Sequence, residues 1–335
     1  MRRKGAVVVC LSIGILVPLN VPPAAWADCG SIPFYAPLVV DLKVSPVDLL
    51  AELSSLTTVS RANPDVSFDP LQVTVFEPHQ RAIILWNGTE EVLLLSTDQR
   101  ASQQTAVLEV IPLPSEPKVR LGSFETFEKA QRLVVEKRTW AVAHGGAQAG
   151  LVQVPESAGR IAFQKKMGAH DVTVAQSLDR VGFVGFVQDH LKKRYGVQEA
   201  PIRPEFVEII QSYLDDGYQW FVFDAIALGD SNQSRRPVEY RFRSNAVFYP
   251  MRISNGEEGT TKVDLLVFSS NGASAFEGLE SAYFDKKTPL EVNATEVESL
   301  ADNWLGFFGT DENPVMDQWL VEGDIRNFRK DVIVR

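Results

Sequence analysis

Short runs of apolar residues, broken by Gly, Pro and Asn, dominate the chain. Residues 71–76 alternate well enough to predict a strand. Residues 81–86 and 92–96 are apolar β-formers on either side of Asn87-Gly88. Asn-Gly populates the positive φ values of a type I′ turn, so this stretch predicts a hairpin. Residues 106–113 predict another strand, ended by Pro112 and Pro114. Over residues 123–143 the period lengthens: Phe124, Phe127, Ala130, Gln131, Val134, Val135 and Arg138 share one mostly apolar stripe. That spacing predicts a long helix, closed at His144-Gly145-Gly146. Near the start, residues 28–44 read as extended. Ser45-Pro46 opens a short helix carrying Leu49, Leu50, Leu53 and Leu56, and residues 61–70 form a polar loop.

The second half is patterned more strongly. Residues 160–165, 171–176, 220–228, 238–242 and 261–268 predict strands. Residues 178–195 predict a helix, with Asp179 near its cap and Gly196 at its stop. Another covers 204–216, with Phe206, Ile209, Ile210 and Tyr213 on one face and Gly217 beyond it. A capping box, Thr295-Glu296-Val297-Glu298, opens a helix expected over 295–308. Strands and helices cluster rather than alternate. The expected class is therefore α+β, with largely antiparallel sheets and packed helices. The small, flexible stretch 145–150 divides the chain into an N-terminal lobe, 28–150, and a C-terminal α+β lobe, 151–335.

The first 27 residues stand apart. Arg2, Arg3 and Lys4 precede an apolar stretch over 6–17, then prolines, then Ala25-Trp26-Ala27. A basic start, a short apolar centre and small residues before the cut are the parts of a signal peptide, in order. The stretch is too short for a spanning helix, which needs roughly 20 apolar residues. Asp28 before Cys29 excludes lipoprotein processing. Cleavage after Ala27 sends the chain to the periplasm or the medium, with no later segment to anchor it. Losing Arg2, Arg3 and Lys4 takes the net charge from −10 to −13. An acidic surface repels phosphate backbones, so nucleic acid is excluded as a partner. Cys10 leaves with the leader, so Cys29 has no intramolecular partner. It is left as a free thiol or as an intermolecular link to a protein partner.

Motifs with a defined chemistry are absent. There is no phosphate loop, no Gly-x-Ser-x-Gly elbow, no His-Glu-x-x-His and no Cys-x-x-Cys. Ser115-Glu116-Pro117-Lys118 has Ser-x-x-Lys spacing, but Pro114 and Pro117 oppose the helix that chemistry needs. Nothing calls for a cofactor or a metal. The acidic loops at 214–217 and 310–313 lack the alternating oxygen ligands of a calcium site. Three residues remain as acid–base candidates. His170-Asp171 sits where a turn feeds a strand, and Asp224 lies inside an apolar strand, where a carboxylate is costly unless paired. Arg241 or Arg243 is the expected partner of Asp224. Neighbours on a strand point to opposite faces, so Asp171 need not touch His170. Trp304, Phe307 and Phe308 read as core, and the N-x-Ser/Thr triplets at Asn87, Asn232 and Asn293 as chance.

Several segments carry a likeness to a known family. They are Cys29-Gly30 after the leader, residues 80–88 (QRAIILWNG), 110–117 (VIPLPSEP), 168–172 (GAHDV), 221–224 (FVFD) and 248–254 (FYPMRIS). Together they resemble the exported prokaryotic proteins known as domain of unknown function 2330. The resemblance implies secretion and one extended domain, and it implies no activity. The chain lacks the second early cysteine and the C-terminal membrane segment of some members. Two functions are left: an exported binding or envelope-associated protein without catalysis, and a periplasmic hydrolase using His170, Asp171 and Asp224. The absence of a catalytic motif favours binding.

Overall fold

A computed structural model describes residues 30–34, 69–144, 170–197, 200–257, 259–273, 283–309 and 313–334. Residues 1–27, expected as a leader, Cys29, the helix expected from residue 45, the stretch 145–150 and the strand expected over 160–165 lie outside them. The chain begins with strands β1 (Gly30–Phe34), β2 (Val75–Trp86), β3 (Glu90–Ala101), β4 (Thr105–Leu113) and β5 (Lys118–Leu121). Helix α1 (Phe124–His144), β6 (Asp171–Gln176), α2 (Arg180–Tyr195) and α3 (Pro204–Asp215) follow. Next come β7 (Trp220–Leu228), β8 (Gln233–Ser234), β9 (Val238–Arg243), β10 (Val247–Tyr249) and β11 (Thr260–Ser269). The last elements are β12 (Tyr283–Lys286), β13 (Leu290–Glu291), the short α4 (Ala294–Glu298), β14 (Val315–Asp324) and β15 (Val332–Val334).

A four-stranded antiparallel sheet has the order β1-β4-β7-β6. A larger one runs β12-β14-β11-β2-β3-β9-β5, with β13 beside β14 and β8 beside β3. Only its β11–β2 pair is parallel among these neighbours. The fold is α+β and largely antiparallel, as the clustering of elements predicts. Both sheets take strands from before and after residues 145–150.

Side-chain alternation sets the layers. Leu108, Val110, Phe221 and Phe223, on the outer face of the small sheet, pack beneath α2 and α3 through Phe183, Val187, Leu191, Phe206 and Ile210. The inner face rests on the large sheet at two places. Ile111, Leu113 and Val222 meet Ala82, Ile84 and Leu93, while Val107, Ile226 and Leu228 meet Val75 and Ala101. On its far side the large sheet is covered by α1 and the segment around α4, through Phe127, Val134, Trp304 and Phe308. The result is a helix–sheet–sheet–helix stack. Burying each of these Phe side chains contributes about 2–3 kcal/mol.

Local chemistry departs from the sequence pattern in three places. Pro70–Gln72 form a 3-10 turn capped by the Asp69 carboxylate, and the strand starts later, at Val75. In the hairpin, Gly88 takes φ +91° but no non-glycine residue has positive φ, which rules out a type I′ turn. Asn87 instead folds its side chain over the loop, accepting from Thr89 N (3.2 Å) and Glu90 N (3.0 Å), and Trp86 pairs with Glu91 across it. The helix expected over 295–308 is five residues long, and its capping box is Asn293 with Glu296. Glu298 accepts from Gly306 N (2.8 Å), and Trp304 donates its indole N–H to Glu239 (2.9 Å). An irregular backbone here lets Trp304, Phe307 and Phe308 all enter one core.

Candidate functional site

Along β4 the inward positions read Val107, Glu109, Ile111, and along β7 they read Val222, Asp224, Ile226. Glu109 and Asp224 are direct partners across the two strands. Both are buried, at 6% and 2% exposure. They form a polar layer between the two apolar contacts of the sheets. Gln99 from β3 spans this layer: its Nε2 donates to Glu77 Oε1 (2.6 Å) and to Glu109 Oε1. Buried Arg235 donates to the Ala227 carbonyl at the edge of the layer. His170, immediately before β6, turns Nδ1 to Asp224 Oδ2, and the other Asp224 oxygen accepts from Asp171 N (3.0 Å). The His170 side chain is only 4% exposed, and its buried Nε2 has no hydrogen-bond partner among the described residues.

Electrostatics follow from this dryness. Burial, and then the adjacent Asp224 charge, push the Glu109 carboxyl up to about 7, although Gln99, Arg235 and His170 pull the other way. Burial pulls the His170 imidazole down. The charge and hydrogen bond of Asp224, with help from Glu109, outweigh it, and the net direction is up. Both groups therefore hold protons more tightly than they would in water.

Asp171 lies on the opposite face, as strand alternation requires. Arg194 of α2 grips it with two bonds, Nε to Oδ2 (2.5 Å) and Nη2 to Oδ1 (2.6 Å), and Tyr195 donates its hydroxyl to Oδ2 (2.6 Å). The hydrogen bond to Asp171 raises the Arg194 guanidinium, and burial followed by the Asp171 charge raises the Tyr195 hydroxyl. His170 and Asp224 thus come together, and Asp171 is turned away from them. The expected pairing of Asp224 with Arg241 or Arg243 does not form. Arg241 pairs with Glu90 (2.5 Å), because β9 lies in the other sheet.

A shallow groove of about 590 Å³ runs along the exposed side of α2. Thr173, Gly182, Gly185, Phe186, Asp189, His190, Lys193 and Arg194 line it. Phe186 and His190 stack at 5.6 Å and 16° between ring planes. Burial lowers the His190 imidazole and favours its neutral form, despite the nearby Asp171 charge. Leu178 and Val181, at 70% and 81% exposure, stand at the start of the same helix.

Among the described residues, no group of three or more His, Cys, Asp or Glu is placed to hold a metal ion. In the acidic loop at 214–217, Asp216 is paired with Arg252 (2.6 Å) and Asp215 accepts from Gln211 (2.7 Å). The loop at 310–313 lies largely outside the described residues. Ser115 is a turn clasp, accepting from Arg243 N (2.8 Å) and donating to Arg243 O (2.9 Å). Two constellations escape a reading of the sequence alone. Glu109 sits in Ala-Val-Leu-Glu-Val-Ile-Pro-Leu, the same acid-in-apolar signal that singles out Asp224. The chain Asp264–His79–Arg81–Asp98 has no local signal, because Asp264 reaches His79 (2.5 Å) across 185 residues through the β2–β11 pairing.

Two stacked, largely antiparallel sheets with a buried acid–imidazole layer define an α+β protein with helices on both outer faces. Within that class the chain belongs to the family described as an uncharacterized protein conserved in bacteria (DUF2330), which matches residues 68–305. That span takes in the segments from 80 to 254 that carry the resemblance and leaves out Cys29-Gly30. No curated protein and no solved structure matches the chain. No described helix is long and apolar enough to cross a membrane.

Proposed function

We propose that this protein is exported and binds a polar polymer of the cell envelope, without catalysing a reaction. The burial of its best acid–base pair carries this assignment: His170 and Asp224 are 4% and 2% exposed, in a layer between two sheets. A general base must come within hydrogen-bond reach of a substrate proton, and at this burial the pair presents little of itself to one. The groove on α2 suits a ligand instead. The stacked Phe186 and His190 give it a flat apolar floor, while Thr173, Asp189, Lys193 and Arg194 add hydroxyl, acid and base. A flat ring with mixed polar neighbours fits a neutral, hydroxyl-rich sugar unit better than a strongly charged ligand. Export rests on the leader at residues 1–27, which places the chain in the periplasm or the medium. Cys29 is the group through which a protein partner would be held covalently.

The test uses protein lacking residues 1–27, titrated with soluble cell-wall oligosaccharides. Turnover of ester, phosphate and glycoside reporters is followed in parallel. The expected result is saturable binding without turnover. Gly185→Trp should abolish the binding, since a Cβ at Gly185 meets no atom within 4 Å and the indole beyond it would occupy the groove. Absence of saturable binding would remove the groove from this assignment. Turnover that His170→Ala abolishes in a folded protein would replace binding with hydrolysis.

A further inference from the structure

The polar layer between the sheets sits where a folding core would ordinarily be apolar. Above it and below it the same two strands bury Val107, Ile111, Val222 and Ile226. Two carboxylates directly opposite one another on neighbouring strands repel, and in a dry interface that repulsion is only weakly screened. Charged and titratable groups face Glu109 from several sides, while β1, the other neighbour of β4, sets Ser31 opposite it, with the Ser31 amide donating to buried Glu257 (3.3 Å), which pairs with Arg203. Asp224 comes from β7, His170 from the entry to β6, Glu77 from β2 (through Gln99 of β3), and Arg235 follows β8. The described layer thus sets the carboxyls of Glu77, Glu109 and Asp224 beside the His170 imidazole and the Arg235 guanidinium. Of the three, Glu109 is the carboxyl pressed against another acid in register, whereas Asp224 already has the imidazole and the Asp171 amide.

We propose that Glu109, Asp224 and His170 form a proton-operated latch between the two sheets, closed while Glu109 carries a proton and loosened when it is lost. The geometry accounts for both states. With its proton, Glu109 is neutral beside Asp224, its Oε1 accepts from Gln99, and the apolar contacts on either side stay packed. Without it, two adjacent negative charges remain in a layer that water cannot screen. The least costly relief is to separate β4 and β7 from β3 and admit solvent. Burial and the Asp224 charge set the carboxyl close to neutrality, so mild changes of pH would operate the latch. An exported protein takes the pH of its surroundings directly, and this layer would let it respond. The proposal does not depend on what the α2 groove binds.

The test combines urea unfolding with amide hydrogen exchange on the full chain between pH 5.5 and 8.5. In wild type the folding equilibrium constant is expected to fall on the order of a hundredfold across this window. Exchange in β4 and β7, corrected for the intrinsic effect of pH, should rise more than in β11 and β14. Glu109→Gln keeps the acceptor for Gln99 and removes the titration. It should remove the Glu109 share of that fall and leave the smaller share set by His170, Glu91 and Asp331. A Glu109→Gln profile parallel to wild type, or exchange that rises equally in both sheets, overturns the latch. Carboxyl-carbon NMR of labelled wild type reads the proton directly and needs no variant. A Glu109 carboxyl titrating in the ordinary range near 4 also overturns it.

Discussion

Adjacent residues in one strand serve different layers, and His170-Asp171 shows how sharply. The imidazole faces the sheet–sheet layer and the carboxylate faces the helices. Asp171 is 5% exposed and receives three donors from Arg194 and Tyr195. Its role is to fasten the end of α2 to the edge strand β6. Removing one partner of a buried, fully bonded ion pair leaves the other charge uncompensated. Arg194 itself is 32% exposed, so solvent takes up part of this cost, and Arg194→Ala is expected to destabilise the protein by about 1–2 kcal/mol. Arg194→Lys should recover only part of this, because an ammonium cannot reproduce the two-bond fork. Urea midpoints of the three proteins check this, and equal stability of wild type and Arg194→Ala would deny Asp171 a structural role. At this scale the sequence was half legible. An acid in an apolar strand marks Asp224, and would equally mark Glu109, but neither strand says which partner it meets.

Elements are legible where their ends are chemically marked. Helix α2 begins at the N-cap Asp179, whose carboxylate accepts from Gly182 N (2.7 Å), and ends at Gly196 with φ +70°. Both signals are local and survive in the fold. Asp179→Ala should cost about 1 kcal/mol, the usual worth of an N-cap side chain, measurable as a lower urea midpoint with an unchanged slope. Strand β1 depends on a contact instead. A Cβ at Gly30 would stand 2.0 Å from the Phe206 ring and 2.8 Å from Ile253. Gly30→Ala is expected to cost about 2 kcal/mol through overpacking, and a midpoint equal to wild type would refute this close approach. The C-terminal aromatics are core, as the sequence predicts, but not helix beyond Glu298, because helical spacing and core burial select the same residues. Trp304, Phe307 and Phe308 reach the core from turns, with Glu298 holding the backbone at Gly306 and Glu239 accepting the Trp304 indole N–H.

For the molecule as a whole, titratable groups decide how stability moves with pH. Burial raises Glu91 well above its ordinary range and, against the hydrogen bonds of Tyr213 and Arg252, also raises Asp331. Glu109 rises to about 7 and His170 rises beside Asp224. A group raised on folding contributes stability that is full below its unfolded pKa and is lost as pH climbs through the folded one. Asp98 runs the other way: burial opposes its charge, but the Arg81 fork prevails and lowers it. Its contribution is lost as pH falls through the acidic range. Stability should therefore peak at mildly acidic pH and decline on both sides, more steeply towards alkali. Urea midpoints at about pH 3.5, 6 and 9 give the order, and a maximum at pH 9 would contradict it. Chain topology makes a second prediction at this scale. Each of the two stacked sheets needs strands from both sides of residues 145–150, so fragments 28–150 and 151–335 are expected to stay unfolded when expressed apart. Dispersed NMR spectra from either fragment alone would refute this.

Periodicity, caps and turn residues are properties of a few neighbouring residues, which is why the sequence by itself determined the class, most of the strands, the three long helices and the acidic character of the chain. Partnership across the sheets is not local. Glu109 meets Asp224 115 positions on, and His79 meets Asp264 185 positions on, because strand order brings them into register. Alternation says which face a side chain takes, but only the packing of one sheet on another decides whether that face is dry, and so whether an acid there keeps its proton.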